Sequence, residues 1–91
     1  MRAARRLIIG GRVQGVGFRY FTQEVALREG VTGWVRNRAD GRVEVYIEGE
    51  AETVTRVERA LRQGPRSARV DEVDVEIEPP SGEYSEFVIR S

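Results

Sequence analysis

Two hydrophobic periodicities alternate along this sequence, and their order restricts the folds that the chain can adopt. The residue pattern of β-strands occurs in segments 6–13, 31–38, 42–48 and 70–78. The three- and four-residue spacing of an amphipathic helix occurs in segments 18–29 and 50–62. A short apolar run at 87–89 predicts one more strand. The predicted order is therefore strand, helix, strand, strand, helix, strand and a short edge strand.

Glycine-containing turns separate these segments. Gly30 suits a left-handed C-terminal cap for the first helix, and Gly64-Pro65 ends the second helix. Asp40-Gly41 predicts a tight hairpin between the second and third strands, because both residue types tolerate the backbone angles of such turns. In the fourth strand, Val73, Val75 and Ile77 are predicted to point inward.

This order of elements predicts an α+β fold, the ferredoxin-like βαββαβ sandwich. Two helices cover one face of an antiparallel sheet, and a short extra strand follows at the C-terminal end. We expect residues 1–91 to form a single domain. The first two strands then run in the same direction with the third between them, so their C-terminal ends lie about 10 Å apart. The residues after Val13 and near Asn37 are therefore expected to face a common site.

The composition excludes several kinds of chemistry. The chain has no cysteine and no histidine, which removes disulfides, thiolate metal sites, a cysteine nucleophile and the commonest general base. Its longest aliphatic run is only residues 7–9, too short for a membrane helix. The basic N-terminal residues are not followed by the apolar stretch of a signal peptide. We therefore expect a cytoplasmic protein without a membrane association.

Segment 11–19 (GRVQGVGFR) leads from the first strand through a glycine loop into the first helix. Without Cβ atoms, Gly15 and Gly17 allow the backbone to approach an oxyanion closely, and the loop N–H groups can form an anion site. Arg19 can add a planar guanidinium that binds phosphate oxygens in a bidentate way. The alternatives are a tight turn without a ligand and, for Arg19, a solvated charge. The latter is unattractive, because a cation is disfavoured at a helix N-terminus.

Asn37 is the second candidate site residue. An asparagine beside a hairpin most often serves the turn itself. Its functional interpretation depends on the shared sheet edge, where a carboxamide could hold a water in line with a bound phosphorus atom. Trp34 is expected in the core or as a platform on the sheet, and the pattern assigns no role to Tyr20 or Tyr46.

These motifs together resemble the acylphosphatase family. Nearly the whole chain takes part in the resemblance, which is carried by segments 11–19 (GRVQGVGFR), 33–37 (GWVRN), 40–45 (DGRVEV), 64–65 and 87–89. It implies hydrolysis of acyl phosphates without a metal, a cofactor or a covalent intermediate. It also implies a phosphate-binding loop made of Gln14, Gly15, Val16, Gly17 and Phe18. In addition, Arg19 would bind the phosphate and Asn37 would position the attacking water. Glu29 departs from the apolar residue expected there, which affects the first helix rather than the site.

Two other classes of function compete with this interpretation. Segment 15–21 (GVGFRYF) loosely echoes an aromatic motif of RNA-recognition domains, but it enters a helix rather than lying on a central strand. Fifteen arginines balance 15 acidic residues, and a net charge of zero also argues against nucleic acid. The other class is a non-catalytic domain that only binds a phosphorylated ligand. We expect a monomer that acts on a small acyl phosphate.

Overall fold

The structure is a computed structural model that describes residues 1–91. It contains five strands and two helices: β1 (Arg2–Arg12), α1 (Phe18–Glu29), β2 (Thr32–Asn37), β3 (Val43–Glu50), α2 (Ala51–Gln63), β4 (Arg69–Glu78) and β5 (Phe87–Arg90). The predicted elements and their order are confirmed. The largest boundary difference is β1, which begins at Arg2 rather than at residue 6 because Arg2 still pairs with Glu50 of β3.

The five strands form one sheet in the order β4-β1-β3-β2-β5. β3 lies between β1 and β2, as the ferredoxin-like arrangement predicts. The four strands of the βαββαβ unit pair antiparallel as predicted, whereas the extra strand β5, whose direction the sequence left open, pairs with β2 in parallel. After β4, the chain crosses the helix-free face to the opposite edge, and there it runs in the same direction as β2. The sheet is therefore mixed.

The main core lies between the sheet and the two helices. β1 contributes Leu7, Ile9 and the following Val13, which are buried as the alternation predicts. The apolar side of α2 is also buried as predicted, and it consists of Val54, Val57 and Leu61. This burial removes large apolar side chains from water and is the main stabilising contribution to the fold. Neither helix is long and apolar enough to cross a membrane.

One predicted core residue is exposed. Val73 and Val75 pack against the core, but Ile77 of β4 is 84% exposed, so its inward placement is wrong. Ile77 pairs with Arg5 in β1, and the Arg5 guanidinium bonds Glu58 at the edge of α2. β4 is an edge strand, and the helical layer does not extend over this end of it. Strand alternation identifies a face, but it does not show where the covering helix stops.

Helix α1 has the predicted bounds, and glycine stands at both ends. Gly17 and Gly30 adopt left-handed conformations with φ of 78° and 80°, and the Gly30 N–H donates to the Ala26 carbonyl at 2.8 Å. Glu29 forms an ion pair with Arg56 of α2 at 3.1 Å. The departure at Glu29 therefore changes how the two helices contact each other and leaves the end of α1 intact.

The helix-free face of the sheet is partly covered as well. Trp34 and Tyr46 stack there with ring centroids 6.3 Å apart, and Tyr84 of the crossing loop packs against them. In the same region, Glu48 of β3 is only 1% exposed. Trp34 thus serves as a platform on the sheet, and residues 43–49 of β3 are buried throughout.

Candidate active site

The loop between β1 and α1 has the backbone conformation of an anion-binding turn. Gly15 and Gly17 both have positive φ, 75° and 78°, where residues with a Cβ are strained. Gly17 is the N-cap of α1, yet it provides no side-chain cap, and the first turn of the helix has no acidic residue. The positive end of the helix dipole is therefore not neutralised by the protein itself.

The N–H groups of this loop have no partner within the protein. Of the nine backbone hydrogen bonds outside the helices and strands, none is donated by residues 14–19. The first N–H groups of α1 also lack partners, as they do in every helix without a cap. The loop therefore presents several free donors beside a helix N-terminus, which is the arrangement that binds phosphate groups.

A cavity of about 220 Å³ opens at this loop and reaches the end of β2. Its lining consists of Val13, Gly15, Gly17, Phe18, Arg19, Tyr20 and Asn37. The cavity brings Arg19 and Asn37 together, although they are distant in sequence. The reason is that β1 and β2 flank β3 and run in the same direction, so both strands end at the same edge of the sheet. The shared site expected from the topology is therefore present in the structure.

The two polar side chains of the cavity are both available to a ligand. Arg19 makes no ion pair and no side-chain hydrogen bond, and neither does the carboxamide of Asn37. By contrast, nine of the other arginines form ion pairs: Arg2, Arg5, Arg6, Arg36, Arg38, Arg42, Arg56, Arg62 and Arg69. A free guanidinium at a helix N-terminus is unfavourable without an anion, so the geometry is suited to a negatively charged ligand.

Two members of the predicted loop do not line the cavity. The Gln14 side chain points to the β2–β3 hairpin, where its Nε2 donates to the carbonyls of Arg38 and Arg42 at 2.8 and 2.9 Å. Val16 packs against the core, and its carbonyl accepts a bond from Ser67 Oγ at 2.7 Å. These contacts hold the loop from two sides. No sequence pattern identified Ser67, because its partner is a backbone carbonyl.

Tyr20 is a cavity residue to which the sequence pattern assigned no role. Its side chain lies beside Arg19 in the first turn of α1 and is 69% exposed. The other apolar side chains of the lining, Val13 and Phe18, are buried in the core. A signal was present in the sequence, since an aromatic residue next to Arg19 at the exposed start of a helix has no place in the core.

The hairpin next to Asn37 neutralises its own charges. Asp40 accepts bonds from the backbone N–H and the guanidinium of Arg42 and contacts Arg38, and these bonds lower the pKa of Asp40 to about 2. Asp40 is thus ionised at neutral pH and occupies the two arginines of the hairpin. Arg19 is then the cation of the cavity that remains free for a substrate.

Together, the ferredoxin-like fold and this cavity define a small α+β protein with a cavity suited to an anion, between a glycine loop and the end of a neighbouring strand. A family model described as Acylphosphatase matches residues 5–89. The acylphosphatase of Pseudomonas paraeruginosa is 55% identical over 90% of this chain and 89% of its own length. The acylphosphatase of Anaeromyxobacter dehalogenans is 47% identical over 98% of this chain and 96% of its own length.

The structural comparison agrees with these relatives. The crystal structure of acylphosphatase from Bacillus subtilis superimposes with a TM-score of 0.94 and 37% identity, and each chain is covered completely. The chain therefore belongs to the acylphosphatase family. It is an enzyme that hydrolyses the carboxyl–phosphate bond of acyl phosphates.

Proposed function

We propose that this acylphosphatase binds the substrate phosphate with Arg19 and the N–H groups of residues 14–18, and that Asn37 positions the attacking water. The observation that carries the proposal is the common cavity, in which one unpaired guanidinium and one unpaired carboxamide accompany two left-handed glycines. Both side chains can contact a ligand without first breaking a protein hydrogen bond. The binding site therefore requires little reorganisation when substrate enters.

The chemical step is a direct displacement at phosphorus. The water oxygen attacks phosphorus opposite the acyl oxygen, the bond between phosphorus and that oxygen breaks, and its electron pair leaves with the carboxylate. One water proton stays on the attacking oxygen and the other passes to a phosphate oxygen, so the products are a carboxylate and dihydrogen phosphate. Arg19 and the loop N–H groups stabilise the charge on the phosphate oxygens throughout the reaction.

This reaction needs neither a strong acid nor a strong base from the protein. A carboxylate is a good leaving group, and the phosphate oxygens of the substrate can accept the water proton. The cavity accordingly contains no carboxylate and no imidazole among its lining residues. This donor set does not suit a divalent cation, which prefers several carboxylate or carbonyl oxygens. We expect positioning and charge stabilisation to supply most of the acceleration.

The acyl group is expected to contact Tyr20. This side chain lines the cavity and is largely exposed, so it can cover the part of the substrate that extends beyond the phosphate. Its ring offers an apolar face without a hydrogen-bonding requirement, which suits acyl groups of different shapes. The contact would be strongest for an aromatic acyl group, because aromatic rings gain additional stabilisation from stacking.

The role of Arg19 is tested with Arg19→Gln in a benzoyl phosphate assay that contains EDTA. Loss of charge-assisted bonds worth about 1.5–3 kcal/mol should weaken inhibition by inorganic phosphate about 10- to 150-fold and also reduce turnover. Arg28→Gln is the matched control, because Arg28 lies on the same helix, forms no ion pair and is outside the cavity. Unchanged phosphate inhibition in Arg19→Gln would exclude Arg19 from the site.

The role of Asn37 is tested separately from substrate binding. Asn37→Ala should reduce kcat by about 100-fold, the size expected when a reacting group is misplaced, and should leave phosphate inhibition nearly unchanged. Thr32→Ala at the opposite end of β2 is the control and should keep full turnover. Full turnover in Asn37→Ala would show that another group positions the water.

We further propose that residues 1–91 act as one domain, as a monomer in the cytoplasm, without nucleic acid. The family match over residues 5–89 supports a single domain, and the net charge of zero is unusual for a nucleic-acid module. A chain without cysteine forms no disulfide and therefore gains no stability from an oxidising compartment. Light scattering after size exclusion tests the monomer, fractionation of the source cells tests the location, and a single-stranded RNA titration tests the absence of nucleic-acid binding.

A further inference from the structure

The side chain of Gln14 joins the two halves of the active site. Gln14 follows β1 and Val13 at the start of the phosphate-binding loop, whereas Arg38 and Arg42 belong to the β2–β3 hairpin. One amide group of Gln14 donates to both carbonyls, at 2.8 Å to Arg38 and 2.9 Å to Arg42. Because both partners are acceptors, only the NH₂ end of the carboxamide can face them. No other side-chain hydrogen bond links residues 13–19 to this hairpin.

The two carbonyls lie at the point where the hairpin closes. The Arg38 N–H donates to the Arg42 carbonyl at 2.8 Å, so these two residues form the last pair before the turn. The next pair inward is Asn37 with Val43, which ends the ladder between β2 and β3. Gln14 thus holds the chain directly beside Asn37. A movement of the hairpin relative to the loop would break two hydrogen bonds of Gln14.

We propose that Gln14 is a positioning residue. It fixes the distance between the phosphate-binding loop and Asn37, and thereby the alignment of the attacking water with the phosphorus atom. This inference rests on the proposed roles of Arg19 and Asn37. In this proposal the Gln14 side chain aligns the groups that react in the transition state, while the backbone of the loop binds the phosphate. Gln14 does not touch the reacting atoms, because its amide is occupied by the hairpin and it does not line the cavity.

The proposal distinguishes the turnover number from ligand binding. Phosphate contacts the loop and Arg19, and neither depends on the position of the hairpin. Attack by water also requires Asn37, whose position does depend on it. Loss of the two bonds should therefore lower kcat and leave phosphate affinity nearly intact. A misplacement of the attacking water on the order of 1 Å is sufficient to reduce the rate about 100-fold.

The first variant is Gln14→Met, which keeps the length of the side chain and removes the donor. Its kcat for benzoyl phosphate should fall about 10- to 100-fold, whereas the inhibition constant of inorganic phosphate should change less than about threefold, which is below 1 kcal/mol of binding. Gln23→Met is the matched control, because Gln23 also donates to a backbone carbonyl, that of Phe87, outside the cavity. Equal losses in phosphate affinity and kcat for Gln14→Met would overturn the proposal.

The second variant, Gln14→Glu, gives a signal that a general loss of structure would not produce. At pH 7 its carboxylate faces two carbonyl oxygens and repels them, so kcat should be lower than in Gln14→Met. A protonated carboxyl has one O–H donor, and carboxyl groups of this type titrate at about pH 4.3 or higher when they face acceptors. Between pH 7 and pH 4.5 the kcat of Gln14→Glu should rise relative to that of Gln14→Met. A constant ratio of the two kcat values would contradict the positioning role of Gln14.

Combination with Asn37→Ala separates this inference from the proposed function. If Gln14 acts through Asn37, the double variant Gln14→Met/Asn37→Ala should have the same kcat as Asn37→Ala alone. A further drop by the full factor of Gln14→Met would overturn the positioning role of Gln14 while the role of Asn37 stands. Full turnover in Asn37→Ala itself would refute the water-positioning role of Asn37 and, with it, the positioning role of Gln14.

Discussion

The buried carboxylate of Glu48 should make the stability of this enzyme depend on pH in a defined direction. Glu48 is 1% exposed and accepts four hydrogen bonds. Its Oε1 accepts from Tyr46 Oη at 2.8 Å and from the N–H and Oγ of Ser81 at 3.0 Å each, and its Oε2 accepts from the Gly82 N–H at 2.8 Å. Burial acts to raise the pKa of Glu48, but these donors outweigh it and lower the pKa from 4.5 to about 2.

The size of the effect follows from this pKa difference. Between 4.5 in the unfolded chain and about 2 in the folded protein, ionised Glu48 contributes about 3 kcal/mol to the free energy of unfolding at neutral pH. Because the folded pKa is the lower one, the contribution is complete above about pH 4.5 and is lost as the pH falls toward 2. At pH 3 about two-fifths of it remains, so about 2 kcal/mol should be lost between pH 7 and pH 3.

The assay compares the protein with Glu48→Gln in urea at both pH values. Trp34 stacks on Tyr46 and is the only tryptophan, so its fluorescence reports unfolding of this region. The free-energy difference between the two proteins should shrink by about 2 kcal/mol from pH 7 to pH 3. Glu50→Gln is the exposed control, since Glu50 pairs only with the amino terminus. A difference that grows on acidification would mean that burial dominates and the reasoning is wrong.

Three further substitutions test the site and the sheet. Tyr20→Ala should raise KM for benzoyl phosphate more than for acetyl phosphate, and equal changes would exclude the ring from acyl recognition. Gly17→Ala meets no atom within 4 Å but has φ of 78°, so it should lower the free energy of unfolding by about 1–2 kcal/mol and weaken phosphate inhibition. Gly33→Ala should cost more, because its Cβ would overlap the Tyr46 carbonyl oxygen. A Gly33→Ala protein with unchanged urea unfolding would contradict that packing.

Local pattern was sufficient for the elements and for four residues of the cavity, Gly15, Gly17, Arg19 and Asn37, but not for Tyr20. Gly15, Gly17 and Arg19 lie within five positions of each other, and the strand order brings Asn37 to them. The functional roles of Arg19 and Asn37 stay predictions until the variants are measured. The contacts that hold the loop could not be predicted, because Gln14 bonds backbone carbonyls 24 and 28 positions away and those carbonyls carry no residue identity.

Burial is harder to predict than the elements, because it depends on how one part of the chain covers another. Glu44 and Glu48 of β3 alternate with apolar residues, yet both are buried, by neighbouring strands and by the loop after β4. For Ile77 the reverse holds, since the apolar pattern continues beyond the end of the helical layer. Periodicity describes one segment, whereas burial depends on which other segments lie above it, so both observations have the same origin.

The buried carboxylate of Glu44 provides a reason why Asn37 stands at the end of β2. Glu44 is 3% exposed and bonds arginines from both neighbouring strands, with Arg36 of β2 at 2.6 Å and Arg6 of β1 at 3.2 Å. Arg36 also lies opposite Glu44 in the ladder, one position before Asn37 opposite Val43. A slip of β2 by one residue would separate Glu44 from Arg36, leave it with Arg6, and turn Asn37 to the other face of the sheet. Because a buried carboxylate is destabilised when it loses a partner, the ion pair between Arg36 and Glu44 opposes such a slip and helps to keep Asn37 at the cavity.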